Sequence, residues 1–127
     1  MRIENKEGPY LEKLILGVME ETLKLENIDV EKIRKEHIID TKGQIFFEGF
    51  TTDIDILVEN GNVYLVEIKA TTGSQDIAHF LQKKKLFELD HGKKVTGLIL
   101  ISLRMNIATY DFAVHRGIKP IAGSMID

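Results

Sequence analysis

At 127 residues, 43% of them hydrophobic and 29% charged, the chain carries enough apolar material for one core and one globular domain, 1–127. It has no cysteine, which excludes a disulfide framework and any thiolate zinc site. The net charge of −3 excludes a uniformly basic nucleic-acid binder, residues 1–8 are too polar for a signal peptide, and no apolar run approaches the roughly 18 residues of a membrane span, so a cytoplasmic protein without membrane contact is expected.

The first predicted element is an amphipathic helix from Gly8 or Pro9 to Glu26, with Pro9 suited to its first turn. At 100° per residue, Leu11, Leu14, Ile15, Leu16, Val18, Met19, Leu23 and Leu25 fill one broad arc, with Lys13, Glu20 and Lys24 opposite. Glu12 falls inside the arc, between Met19 and Leu23. A carboxylate there either snorkels to water or serves a site. A short second helical segment is expected over 28–35, with Asp29 as its N-cap. Residues 37–40 read as a strand, Thr41-Lys42-Gly43 as a turn, and 44–50 as the first arm of a sheet, on which Glu48 is an exposed acid.

Segments 52–58 and 63–69 follow, joined through Asn60-Gly61-Asn62, and both alternate at period 2. Ile54, Ile56, Val58, Tyr64, Val66 and Ile68 supply an apolar face; Asp53, Asp55, Leu57, Leu65, Glu67 and Lys69 supply the other. A two-residue Asn60-Gly61 loop would pair 59 with 62 and set Ile54 opposite Glu67. A three-residue loop over 60–62 pairs 59 with 63, hence 54 with 68, 56 with 66 and 58 with 64. Only the second keeps apolar residues opposite apolar ones, so it is the expected register. It places Asp55 across from Glu67 and Asp53 across from Lys69, with Cβ atoms about 4.5–5.5 Å apart. Carboxylates so placed repel, and a divalent cation removes the conflict. Oxygen-only ligands suit Mg²⁺ or Mn²⁺ rather than zinc.

After Lys69, Ser74 is the predicted N-cap of a helix over 75–90, with Ile77, Phe80, Leu81, Phe87 and Leu89 on its apolar side. Lys84, four residues after Phe80, is the lysine nearest that side. His37, His79, His91 and His115 lack the mutual spacing of a metal site and are expected at helix ends and in solvent. Residues 95–102 read as a buried strand, Asn106 as the cap of a helix to His115 or Arg116 that Gly117 ends, and 118–122 as an edge strand that suits Pro120. Charge is uneven along the chain: residues 1–68 carry 8 Lys+Arg against 15 Asp+Glu, net −7, and residues 69–127 carry 9 against 5, net +4. Lys83-Lys84-Lys85, Lys93-Lys94, Arg104, Arg116 and Lys119 could therefore follow a phosphate backbone.

Asp55 together with Glu67-Ile68-Lys69 resembles the motif of the PD-(D/E)xK nuclease superfamily, which includes many restriction enzymes and the archaeal Holliday junction resolvases. The likeness runs from about Gly8 to about Ser102. It departs from the motif in having no proline before the first acid, since Thr52 precedes Asp53 and Ile54 precedes Asp55; that leaves both acids as candidates, and the expected register favours Asp55. The resemblance implies an α/β restriction-endonuclease-like core, a mixed central sheet of antiparallel hairpin strands plus later strands, flanked by helices. It implies that Asp55, Glu67 and the Ile68 carbonyl hold Mg²⁺ or Mn²⁺ and that Lys69 positions or deprotonates the attacking water. Gly8-Pro9-Tyr10-Leu11-Glu12 looks like the first-helix form of resolvase-like members, which makes Glu12 the acid that completes the site. Gln82, Lys83 and Lys84 are the candidates for meeting the site or the nucleic acid. The expected function is metal-dependent, endonucleolytic hydrolysis of DNA, with nucleic acid as the partner and a homodimer by analogy with relatives that pair. The competing expectation is a non-catalytic nucleic-acid-binding or assembly protein on the same fold.

Overall fold

Near-continuous apolar runs such as residues 54–58, broken by Asp55 alone, and 98–101 demand cover on two sides, and the chain supplies it with helices before and after the hairpin. The structure is a computed structural model that describes the backbone of residues 3–127 and the side chains of residues 10–127. In chain order the elements are α1 (Ile3–Val18), α2 (Glu20–Leu25), a 3-10 turn (Val30–Lys32), β1 (Arg34–Asp40), β2 (Phe50–Glu59), β3 (Asn62–Thr72), α3 (Ser74–His91), β4 (Gly97–Asn106), α4 (Ile107–His115) and β5 (Ile118–Ile126). The strands form one sheet in the order β1-β2-β3-β4-β5. β1, β2 and β3 are antiparallel neighbours, whereas β4 pairs with β3, and β5 with β4, in parallel. Parallel neighbours need crossovers, which α3 and α4 provide. The architecture is the mixed, helix-flanked α/β sheet expected of a restriction-endonuclease-like core.

One face of the sheet buries Ile54, Ile56, Leu65, Leu98 and Leu100 against Ile77, Phe80 and Phe87 of α3 and Ala113 of α4. The other buries Leu57, Val66, Ile68, Ile99 and Ile101 against Ile15, Met19 and Leu23. Among the described residues, no helix is long and apolar enough to cross a membrane.

Two-sided burial corrects the expected register. The ladder runs Glu59↔Asn62, Val58↔Val63, Leu57↔Tyr64, Ile56↔Leu65 and Asp55↔Val66, which is the two-residue loop. Asn60 (φ 52°) and Gly61 (φ 81°) both take the left-handed conformation that a type I′ turn requires. One apolar and one polar face would disfavour this register, but both faces of the paired stretch are buried. Its apparent cost, Ile54 opposite Glu67, does not arise, because the β2–β3 ladder ends at Asp55↔Val66.

Other expectations shift for equally local reasons. The first helix is split at Met19, and Pro9 lies inside α1 rather than at its first turn. Only the ridge Ile15, Met19, Leu23 packs fully on the sheet; Leu11, Leu14, Val18 and Leu25, expected inside, are exposed. The helical segment over 28–35 shrinks to one 3-10 turn, capped as expected by Asp29, whose Oδ1 accepts Glu31 N–H at 3.0 Å, and Arg34 and Lys35 already belong to β1. Residues 44–50 do not form a strand before Phe50. The Asp40 carboxylate accepts the N–H groups of Gln44 (2.9 Å), Ile45 (3.0 Å) and Phe46 (2.6 Å), so those amides are spent on a loop rather than a ladder. Gly73, not Ser74, is the N-cap of α3, with its N–H bound by Asp76 Oδ2 at 2.9 Å. Asn106 caps α4 as expected, accepting Thr109 N–H at 2.7 Å.

The register is open to a direct check, since the chain has no native cysteine. Val58 and Val63 face each other in a non-hydrogen-bonded pair, whose Cα atoms lie about 4.5–5.5 Å apart, within disulfide reach. Val58→Cys with Val63→Cys should oxidise to an intramolecular disulfide, and Val58→Cys with Tyr64→Cys should not; mass spectrometry under denaturing conditions reads the difference.

Candidate active site

Strands that part company inside a sheet must find other partners or leave backbone groups unpaired. β2 keeps β1 along its whole N-terminal half, with Asp53 across from His37 and Asp55 across from Lys35. Beyond Val66, β3 keeps β4, with Glu67 beside Leu100 and Lys69 beside Ser102. A fork opens between β2 and β3, and the candidate residues stand around it. By strand alternation Asp55 and Ile68 share the side of Leu57 and Val66, which α1 covers, whereas Glu67 and Lys69 share the side of Leu65, which α3 covers.

On the α1 side, Lys35 Nζ lies 3.1 Å from Asp55 Oδ1 and 3.1 Å from Glu12 Oε1, so one ammonium bridges two candidate acids. Glu12, Lys35, Asp55 and Ile68 line an open cleft of about 550 Å³. Burial works against the Lys35 charge, but the charge and hydrogen bond of Asp55, then those of Glu12, outweigh it and hold its pKa above the ordinary lysine value.

On the α3 side, Lys83 Nζ lies 3.6 Å from Glu67 Oε2 and donates to the Asp53 carbonyl at 3.2 Å. One ammonium thus ties β2 to β3 across the fork. The Lys83 and Glu67 side chains are only 11% and 13% exposed. Burial pushes the Glu67 carboxyl above the usual carboxylate range; Lys83 and Lys69 oppose the shift, and the charge of Asp55 adds to it. Asp55 and Glu67 therefore feel each other electrostatically although they belong to opposite sides of the sheet. Lys69 pairs with Asp76 Oδ1 at 3.3 Å. His79, one turn before Lys83, has its pKa lowered by burial and then by the charges of Lys83 and Lys69, which Asp76 partly offsets.

The candidates fall into two sets: on one side Glu12 and Asp55 meet through Lys35, and on the other Glu67 pairs with Lys83 and Lys69 with Asp76. Asp53 is not the partner of Lys69; its Oδ1 lies 3.0 Å from His37 Nδ1, because β1 rather than β3 stands beside it. Of Gln82, Lys83 and Lys84, it is Lys83 that reaches the site and is buried there. Lys84, which the wheel places nearest the apolar side, pairs with Glu88 at 3.6 Å, and Gln82 is exposed. Lys35, Asp76 and His79 escaped the sequence reading. Asp76 carried a signal, since an acid three residues after a glycine is an N-terminal capping pattern; Lys35 carried none once 28–35 was read as helix.

Among the described residues no three His, Cys, Asp or Glu side chains converge as a metal cluster. The donors around the fork are hard oxygens, two carboxylates and backbone carbonyls. One of those carboxylates is pushed up by burial and by the other's charge, so a hard divalent cation would fit and would relieve the repulsion.

The Glu67–Lys83 pair predicts a pH-dependent stability. With its folded pKa above the unfolded value, Glu67 binds more protons in the folded state between those two values, so its ionisation costs stability as pH rises through that window. Lys83 counters that cost while Glu67 is charged. Lys83→Met should destabilise the protein by about 3–5 kcal/mol at neutral pH, and by distinctly less once acid has neutralised Glu67, as read by urea denaturation at the two pH values.

Residues 51–115 match the family model of the PD-(D/E)XK nuclease superfamily. That span holds Asp55, Glu67, Lys69 and Lys83 and leaves Glu12 and Lys35 outside. No curated protein and no solved structure matches the chain. The matched half of the sequence contains the fork, the helix that closes it and the parallel strand behind it, and by that match the chain belongs to the PD-(D/E)XK nuclease superfamily.

Proposed function

We propose that the protein is a Mg²⁺- or Mn²⁺-dependent endonuclease that hydrolyses phosphodiester bonds of DNA. The observation that carries the reading is the buried Glu67 carboxyl, held up by burial and by Asp55 and flanked by Lys69 and Lys83 inside the family-matched segment. Ion pairs built only for stability rarely justify a buried carboxylate, because replacing such pairs by apolar residues is often neutral or stabilising.

Asp55, Glu67 and the Ile68 carbonyl would hold the metal. When bound it supplies Lewis acidity toward the phosphate and lowers the pKa of a coordinated water. Lys69 supplies charge: its ammonium, oriented by Asp76, stands against the negative charge that develops on the phosphoryl oxygens as the water oxygen bonds to phosphorus and the opposite P–O bond breaks. Glu12 acts from the α1 side together with Asp55. Lys83 is a positioning residue that sets Glu67 and keeps the fork at a fixed width. Lys35 holds Glu12 and Asp55 together as their counter-ion when no metal is present.

Mg²⁺ or Mn²⁺ should support cleavage of a plasmid or oligonucleotide DNA panel, and Asp55→Ala and Lys69→Ala should each lower the rate by about 10²-fold or more. Activity that survives both changes sinks the assignment. Titration calorimetry should show a Mn²⁺-binding heat that Glu67→Ala removes. Lys35→Met should tighten that binding roughly tenfold, because it removes a partly exposed positive charge that competes with the metal for the acids; unchanged or weaker binding would count against Lys35 as their counter-ion.

A further inference from the structure

Phe47 stands apart from the rest of the sheet-end loop. Its side chain is 61% exposed, and it is the one large apolar side chain left exposed between Asp40 and Leu57 among the described residues. The loop that presents it is rigidly built. Asp40, 1% exposed, binds three loop amides through its carboxylate and the N–H groups of Gly43 (3.1 Å) and Gly49 (2.8 Å) through its carbonyl. At Gly43 (φ +67°) a Cβ would meet Glu48 N at 2.5 Å, so the turn admits no side chain there. A rigid loop that leaves most of a phenyl ring in water gains little for the core from that ring.

The ring is also continuous with the candidate site. Phe47 packs edge-on to Phe50 at 5.1 Å, Phe50 lies 4.4 Å from Phe46, and Phe46 lies 5.4 Å from the His79 ring, all between centroids. His79 sits one helical turn before Lys83 on α3 and feels the charges of both Lys83 and Lys69. An aromatic series thus leads from the helix that carries Lys83 outward to an exposed π-face.

Resting on the nuclease reading above, we propose that Phe47, backed by Phe50, Phe46 and His79, is a stacking platform for an unpaired nucleobase of the substrate. The enzyme would then take single-stranded or locally unpaired nucleic acid. In a duplex both π-faces of every base are occupied by its neighbours; an unpaired strand can offer one, and stacking on an aromatic side chain tolerates any sequence. A protein partner would need an apolar surface much wider than one ring, and the other exposed side chains of this loop, Thr41, Lys42, Gln44 and Glu48, are polar.

The test is fluorescence anisotropy of the full chain in EDTA, where no cleavage intervenes, with labelled single-stranded DNA, single-stranded RNA and blunt duplex DNA of one sequence. F47A should weaken single-strand binding about five- to a hundredfold and leave duplex binding unchanged. F47W should retain single-strand binding, and the thermal midpoint of F47A should match the native one. The DNA and RNA arms tell which strand the platform takes. The proposal is overturned if F47A binds single strands as tightly as the native chain, if it loses duplex binding equally, or if sedimentation shows that F47A abolishes self-association instead. Native protein that binds none of the three probes in EDTA overturns the platform, and the nuclease reading itself falls only if Mn²⁺ also supports no cleavage, which separates the two failures.

Discussion

Charge taken out of water must be balanced close by, and at the fork of this sheet the balance comes from lysines on three different elements. β1 brings Lys35 to Asp55 and Glu12, β3 carries Lys69 against Asp76, and α3 brings Lys83 to Glu67. Desolvating an unpaired carboxylate costs several kcal/mol, so these contacts are coupled to the docking of the elements that carry them. The fork is where such groups can be placed at all. Along the paired stretches of the central strands β2, β3 and β4 the backbones satisfy one another and apolar residues are buried on both faces, whereas here β2 and β3 separate and side chains take over. Lys83 shows the exchange most directly, donating to the Asp53 carbonyl at a level where β2 no longer has β3 beside it.

The same balance bears on how a polyanion is met by a chain of net charge −3. Several cations of the basic C-terminal half are already engaged within the fold. Lys119 pairs with Glu26 at 2.8 Å, Lys84 with Glu88, and the Arg116 guanidinium lies 5.1 Å from the Phe112 ring centroid. A count of lysines therefore overstates the field open to phosphate. Lys69 and Lys83 are engaged as well, with Asp76 and Glu67, though burial and then their two charges still hold the His79 pKa down against the opposing charge of Asp76.

The motif was legible because its chemistry is local: two alternating strands, an Asn-Gly turn, and acids and a lysine where apolar residues would be cheaper. The capped helix at Asn106 and the buried strand before it were legible for the same reason. Register was not, because a pattern with charges on one side suggests a wet face, and the sheet has none. The loop over 41–49 was hidden by a single side chain, since nothing in Gln44-Ile45-Phe46-Phe47 announces that Asp40 will bind its amides. The exposed Leu11, Leu14 and Val18 show a further limit: a helical wheel reports how wide the apolar arc is, but the sheet covers only the ridge it can reach. Lys35 needed long-range information, because its role exists only once β1 lies beside β2.

β1 is the element that gives these observations a common cause. It lies outside the family-matched segment, at an edge of the sheet, yet it holds Lys35 toward the acids at one end and Asp40 under the aromatic loop at the other. Burial alone would raise the Asp40 pKa, but the N–H groups of Phe46, Ile45, Gln44 and Gly43 outweigh it and keep the carboxyl below its ordinary range, so the loop stays tied down wherever the rest of the protein is folded near neutrality. The C-terminal end of α3 is fastened to the same strand: Ile39 N–H donates to Asp90 Oδ2 at 3.0 Å, and His91 Nε2 lies 3.2 Å from the His37 carbonyl. The N-terminal half of that helix carries Asp76, His79 and Lys83 to the fork. An edge strand that fixes the counter-ion of two acids, the anchor of the aromatic loop and the far end of the lysine-bearing helix sets the width and the approach of the site together. The motif places two acids and a lysine at the fork, and β1, from outside the matched segment, sets what surrounds them.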